Sequence, residues 1–301
     1  MKCDILTFNN YVGILTDSIL LRNIIKKITT DVSITFLDTI DFNYKSDIAI
    51  WIQNYHSNML DNFKFNIFFI NEEWFDRSFE DLKKFNFVVC KSMYAYNLLK
   101  SHCNCVCLPF VSHDYYRSDI QKTNKFLNFM GRSIQKNTEL VLEQELPITL
   151  IDPYYRYSPK NNISHVNTYQ STNQIITLLN SHSTHICISL YESWGHYLFE
   201  GLSTGSEIIC SDIPVFKEQL DTSLVHMLPT SKNINLQYLF DNDNVSNLYP
   251  FRQSFYVDPT EFKNKLKTFD PIGKNKQRRE MYLDIMSRNQ TNLLNFFNQL
   301  F

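Results

Sequence analysis

The chain has 301 residues with 44% hydrophobic content, enough to bury one large core or two smaller ones, so disorder by composition is excluded. The 29 basic and 31 acidic residues leave a net charge of -2, which speaks against a general nucleic-acid binder. No apolar run approaches a membrane span, and Asp4 breaks the first apolar stretch where a signal peptide would need it intact.

From the N-terminus, strand and helix signals alternate. "KCDILTF" reads as a strand and "TDSILLRNIIKKI" as a helix capped by Thr16 or Asp17. "VSITFLDT", "SDIAIWIQ" and "KFNIFFIN" are further strands, and "NEEWF" (71–75) reads as a solvated helix start. "EDLKKFN" is a short helix, "FVVCKS" a strand, "MYAYNLLKSH" a helix and "CVCLPF" a strand. Apolar runs of this length between helices imply a buried parallel sheet. His56 and His113 read as ordinary loop residues.

The polar, aperiodic stretch 111–124 reads as a linker. Alternation then restarts with the strands "KFLNFMG", "PITLID", "ISHVNTY", "HICISL" and "EIICSD". The helices "NTELVLEQEL", "STNQIITLLNSH", "HYLFEGLST" and "VFKEQL" separate them, and "SFYVDP", "TEFKNKLKTF" and a long helix from about Lys276 close the chain. The expectation is two α/β domains, 1–115 and 116–275, followed by a helix over 276–301.

The seven cysteines are odd in number, and several sit in strand-like runs, which fits reduced thiols in the cytoplasm, with peripheral membrane attachment left open. Cys103, Cys105 and Cys107 alternate on one strand face and lack the C-x2-C spacing of zinc sites, so they are expected as buried structural thiols. The sequons at Asn162, Asn244 and Asn289 mean little in such a compartment.

The stretch 186–214, "ICISLYESWGHYLFEGLSTGSEIICSDIP", carries the chemistry. Glu192 follows a strand, at the carboxyl edge where parallel sheets bind ligands. Gly195 allows close backbone approach. The helix beginning near Gly195-His196 turns its free N–H groups and positive end to the same crevice, a place for a diphosphate. Glu200, two helical turns beyond Glu192, can accept two hydrogen bonds from adjacent hydroxyls such as those of a ribose. Together these suit a nucleotide diphosphate carrying a sugar.

E-x7-E with an internal glycine, then a strand and "SDIP", resembles the retaining glycosyltransferases of family 4, of GT-B fold. "FMGRSIQKN" is similar to that family's Gly-Arg…Lys pyrophosphate motif, and the likeness covers about residues 125–270. The resemblance implies two Rossmann-like α/β domains facing a cleft, with the C-terminal helix able to cross back to the N-terminal domain. It implies Glu192, Arg132 and Lys136 as catalytic residues, and a donor site of Gly131, Arg132, Lys136, Trp194, Gly195, His196, Tyr197 and Glu200. Gly13, Glu72 and Glu73 fall on the acceptor side. The chain departs from the family in a glycine-poor first loop, "NNYVG", and in Ser193 for the usual Gly and His196 for the usual Leu. The Arg-to-Lys spacing is four residues, and Ser206-Glu207 replaces small residues and Pro.

The expected function is therefore metal-independent transfer of a hexose from a UDP- or GDP-linked donor, with retention, to a glycan, lipid or protein acceptor, and without a cofactor. Two alternatives stand beside it: a relative that binds the nucleotide sugar without transferring it, and a metal-dependent GT-A-like transferase using Asp241 and Asp243 of "DND".

Overall fold

The computed structural model describes residues 1–9, 13–129, 134–144, 147–152, 163–166, 171–232 and 253–301. By its contacts the chain divides into two units. Met1–Val111 and Met286–Phe301 belong to the first, and Ser112–Leu236 and Gln253–Ile285 to the second.

In the first unit, β1 (Cys3–Thr7), β2 (Val32–Phe36), β3 (Ser46–Ile52), β4 (Phe63–Phe69), β5 (Phe87–Cys90) and β6 (Cys105–Cys107) form a parallel sheet in the order β2-β1-β3-β4-β5-β6. Register sets Ile34, Ile5, Ile50 and Ile67 side by side across four strands. Such β-branched rows are what a sheet covered on both faces selects. One face packs an aromatic cluster. Phe68 stacks on Phe85 at 4.8 Å, and Tyr55 meets Phe85 edge-on at 4.9 Å. Trp51 satisfies its buried N–H by donating to Asn66 Oδ1 at 2.9 Å.

Helix α1 (Gly13–Ile25) begins ahead of both expected caps. Asp17 lies in its interior, 3% exposed, and its carboxylate accepts from Lys91 Nζ at 2.6 Å. Lys91 leaves the end of β5 buried and also donates to Asn71 Oδ1 at 2.7 Å. A buried ammonium requires a partner carboxylate, and that requirement places Asp17 inside the helix, where a cap could not reach. Glu72 and Glu73 are likewise buried, in the 3-10 turn Glu72–Trp74, and do not form a solvated helix start. The short helices α2 (Phe79–Leu82) and α3 (Met93–Leu99) complete the crossovers, and Ser92 caps α3 through the Ala95 N–H.

The second unit repeats the plan. β7 (Thr123–Phe129), β8 (Ile148–Ile151), β9 (Ile163–Val166), β10 (His182–Cys187), β11 (Glu207–Ser211) and β12 (His226–Leu228) form a parallel sheet, order β12-β11-β10-β7-β8-β9. An antiparallel pair, β13 (Thr230–Lys232) and β14 (Phe255–Val257), adds Val257 to the core of Ile148, Ile186, Ile188 and Ile209. Its helices are α4 (Thr138–Leu142), α5 (Thr172–Ser181), α6 (His196–Ser203), α7 (Pro214–Gln219) and α8 (Pro259–Lys267), together with the part of α9 (Asn275–Asn298) up to Ile285. Ser171 and Gln174 form a reciprocal capping box on α5, and Asp258 caps α8 ahead of Pro259.

The stretch expected as a linker is tied down at several points. Asn180 Nδ2 donates to Tyr115 O at 2.6 Å, its Oδ1 accepts the Arg117 N–H at 2.9 Å, and Ser203 Oγ accepts the Tyr115 N–H at 3.1 Å. Its polar residues are thus fixed by side-chain bonds that carry no periodicity, and Thr123 already belongs to β7.

Glu207, where the resembled family has small residues and Pro, meets Arg278 of α9. Arg278 is fully buried and donates to Glu207 Oε1 at 2.6 Å, the Gly273 N–H donates to the same oxygen at 2.9 Å, and His226 Nε2 lies 3.4 Å from Oε2. Burial opposes the Glu207 charge, but the His226, Gly273 and Arg278 interactions outweigh it and hold the carboxyl below its usual range. Farther along α9, Asn289 is buried and donates to Phe110 O at 2.8 Å, which removes it as a glycosylation acceptor. All seven cysteines are free. Cys3, Cys90, Cys187 and Cys210 are buried, whereas Cys103, Cys105 and Cys107 are half-buried.

Candidate active site

Beyond β10, the Leu190 N–H donates to Gln135 O at 2.7 Å. That bond draws the one-turn segment Ile134–Lys136 against the carboxyl edge of the second sheet. Lys136 then reaches Glu192, its Nζ donating to Oε1, with only 14% of the lysine and 7% of the glutamate side chain exposed. Ser189 Oγ donates to the same oxygen at 2.7 Å and shares a 2.6 Å hydrogen bond with the Tyr197 hydroxyl. Ser189 is itself held by its carbonyl, which accepts from Ser211 Oγ at 2.6 Å. Tyr197 presents its ring face to Lys136, with Nζ 3.8 Å from the centroid.

The glycine between the two glutamates is required by geometry. Gly195 precedes α6 at φ +90°, and a Cβ there would lie 2.6 Å from the Phe216 ring. The left-handed residue turns the chain so that α6 starts beside Glu192. It also sends Trp194 inward. Trp194 is buried, stacks on Phe199 at 4.3 Å and donates to Ser112 Oγ at 2.9 Å. His196 Nδ1 shares a 2.9 Å hydrogen bond with that same Ser112 Oγ.

His196 and Glu200 stand one turn apart on one face of α6. Although part of Glu200 reaches the surface, desolvation raises its carboxyl above the usual range, and the charges of His196 and Lys136 only partly offset this. Nearby, burial and then His196 lower His113, whose ring stacks on Tyr115 at 5.4 Å. Burial and then Glu200 raise Tyr115. His113, read from sequence as an ordinary loop residue, thus belongs to the electrostatic surroundings of α6.

Of the residues expected from sequence, the catalytic candidates Lys136 and Glu192 pair, Tyr197 of the donor set meets Lys136, and Gly195, His196 and Glu200 of that set stand at and along the start of α6. Trp194 is committed to packing. Gly131 and Arg132 lie outside the described residues, as do Asp241 and Asp243. Gly13, Glu72 and Glu73 lie in the first unit, at the start of α1 and beyond β4, and a Cβ on Gly13 would meet nothing within 4 Å. Ser189 was missed because it interrupts an apolar strand end, where a small hydroxyl carries no spacing signal. Among the described residues, no three His, Cys, Asp or Glu are placed to hold a metal, and no helix is long and apolar enough to cross a membrane.

No protein-family description and no curated protein matches the sequence. Solved structures do match. A structure described as trehalose-6-phosphate from E. coli bound with UDP-2-fluoro glucose aligns with a TM-score of 0.63 at 9% identity, covering 99% of this chain and 98% of that one. Sucrose-phosphate synthase from Thermosynechococcus elongatus gives 0.62 at 11% identity, covering 100% and 99%. The pneumococcal O-GlcNAc transferase GtfA, in complex with UDP and GlcNAc, gives 0.60 at 11%, but the match covers 85% of this chain and only 56% of GtfA. The likeness is one of fold: two parallel Rossmann-like sheets, as in the GT-B glycosyltransferases.

Proposed function

We propose that the chain is a glycosyltransferase that moves a hexose from a nucleotide-diphosphate donor to an acceptor with retention of configuration, and without a metal. The observation that carries this reading is the Lys136–Glu192 pair at the carboxyl edge of the second sheet, just ahead of α6, the helix that carries Glu200. The GT-B fold and the UDP named with two of its structural neighbours support it and make UDP-sugars the first donors to try.

In this reading Arg132, Lys136 and the first N–H groups of α6 hold the diphosphate. An ammonium has three N–H donors, so Lys136 can keep Glu192 while giving two to phosphate oxygens. As the anion draws on Lys136, the Glu192 carboxylate is less neutralised and more able to stabilise the positive charge that develops on the sugar. Leaving-group charge grows against the lysine while sugar charge grows against the glutamate, so one ion pair serves both ends of the breaking bond. Glu200 accepts the ribose hydroxyls, and their hydrogen bonds stabilise its costly ionised form. The glycan, lipid or protein acceptor would bind the first unit, where Gly13, Glu72 and Glu73 are the candidates. Reduced thiols fit a cytoplasmic location.

Paired measurements test the assignment. Glu200→Ala should weaken nucleoside diphosphate binding about ten- to a hundredfold, the loss of a charged hydrogen-bond pair. Glu192→Gln should leave that affinity nearly unchanged and strongly lower the single-turnover rate with the full donor. The reverse pattern would place Glu192 in the nucleotide pocket and end this account of the two carboxylates.

A further inference from the structure

Tyr197 occupies an unusual place in the site. It lies in the first turn of α6 and is buried, yet it touches the supports of both opposite charges. Its ring lies beneath Lys136, and its hydroxyl bonds Ser189, which in turn bonds Glu192. The proton order is consistent along this chain. Burial raises the Tyr197 hydroxyl well above its usual range, so it stays protonated and donates to Ser189 Oγ. That leaves the Ser189 proton for Glu192, which as a carboxylate only accepts. Ser189 cannot drift, because Ser211 Oγ holds its carbonyl.

We propose that Tyr197 is a positioning residue that sets the Lys136 ammonium and, through Ser189, the Glu192 carboxylate at one fixed separation. The chemical roles given to those two charges rest on the transferase reading; the support itself does not. The two halves of the device are separable, since the ring acts on the cation and the hydroxyl on the anion.

Three variants test it: Tyr197→Phe, Tyr197→Leu and Ser189→Ala, each checked for native circular dichroism. The first readout needs no activity. The side-chain methylenes of Lys136 should show an upfield ring-current shift by NMR in the wild type, retained in Tyr197→Phe and lost in Tyr197→Leu. The second readout is the split between binding and rate, using the best-bound of UDP, GDP and ADP and single-turnover diphosphate release from the matching sugar donor. Tyr197→Phe and Ser189→Ala should keep nucleoside diphosphate affinity within about twofold and lower the rate about tenfold. Tyr197→Leu should also weaken binding about three- to tenfold, as loss of a cation–π contact implies. A Lys136 signal unmoved in Tyr197→Leu, or a wild-type rate in Tyr197→Phe, overturns the proposal. Should the wild type neither bind nor turn over any nucleotide, the transferase reading fails while the lysine signal still decides whether Tyr197 holds Lys136.

Discussion

Glu200 and Glu192 share a motif but differ in electrostatic setting. Lys136 and Ser189 both donate to Glu192, whereas Glu200 is raised by desolvation that the charges of His196 and Lys136 only partly offset. The sign of the linkage follows. Above the ordinary carboxyl range, folding must keep Glu200 ionised in a poorly solvated place, at a cost to stability. Below that range the group is protonated in both states and the cost vanishes. Glu200→Gln should therefore raise the melting temperature at pH 7, and the gain should shrink towards pH 4. A gain that does not change with pH would assign it to packing instead. Under the proposed ribose role, such a gain would mark a residue that gives up stability for binding. The E-x7-E spacing was legible because a strand end and a following helix impose it. The burial of Trp194 was not, because an aromatic beside a motif glycine looks the same whether it faces a ligand or, as here, Phe199.

At the scale of elements, α6 and α9 carry the decisive constraints. Gly195 meets two demands at once, φ +90° and the nearby Phe216 ring. Gly195→Ala should destabilise the protein by about 1–3 kcal/mol, read as a lower urea midpoint, and should reduce turnover if α6 carries the donor contacts proposed for it. In α9, Arg278→Ala strands the buried Glu207 carboxylate and should cost about 3–5 kcal/mol. Arg278→Met combined with Glu207→Leu should recover much of that loss, and if it does not, the pair matters through something other than charge burial. The order of strands and helices was readable from apolar runs, since a sheet buried on both faces leaves that signature. The pairs Asp17–Lys91 and Glu207–Arg278 were not, because each joins residues more than seventy positions apart. The same reason moved the start of α1, where a tertiary partner for Asp17 overrode its preference for a cap.

At the scale of the whole chain, a GT-B fold supports many acceptors and donors, so the fold alone leaves the substrate open. The account instead rests on whether the second unit binds a nucleotide sugar through protein cations in place of a metal. The most direct test is the melting temperature of the wild-type protein in EDTA against a panel of UDP-, GDP- and ADP-linked sugars. Binding at a hundred times the dissociation constant adds about 2.7 kcal/mol of stability, a shift of a few degrees for a protein this size. The account predicts that one nucleotide class raises the melting temperature in EDTA, and that Glu200→Ala removes about half of the shift or more at the same concentration. No shift with any donor in EDTA, or one that appears only when Mn²⁺ is supplied, would contradict it.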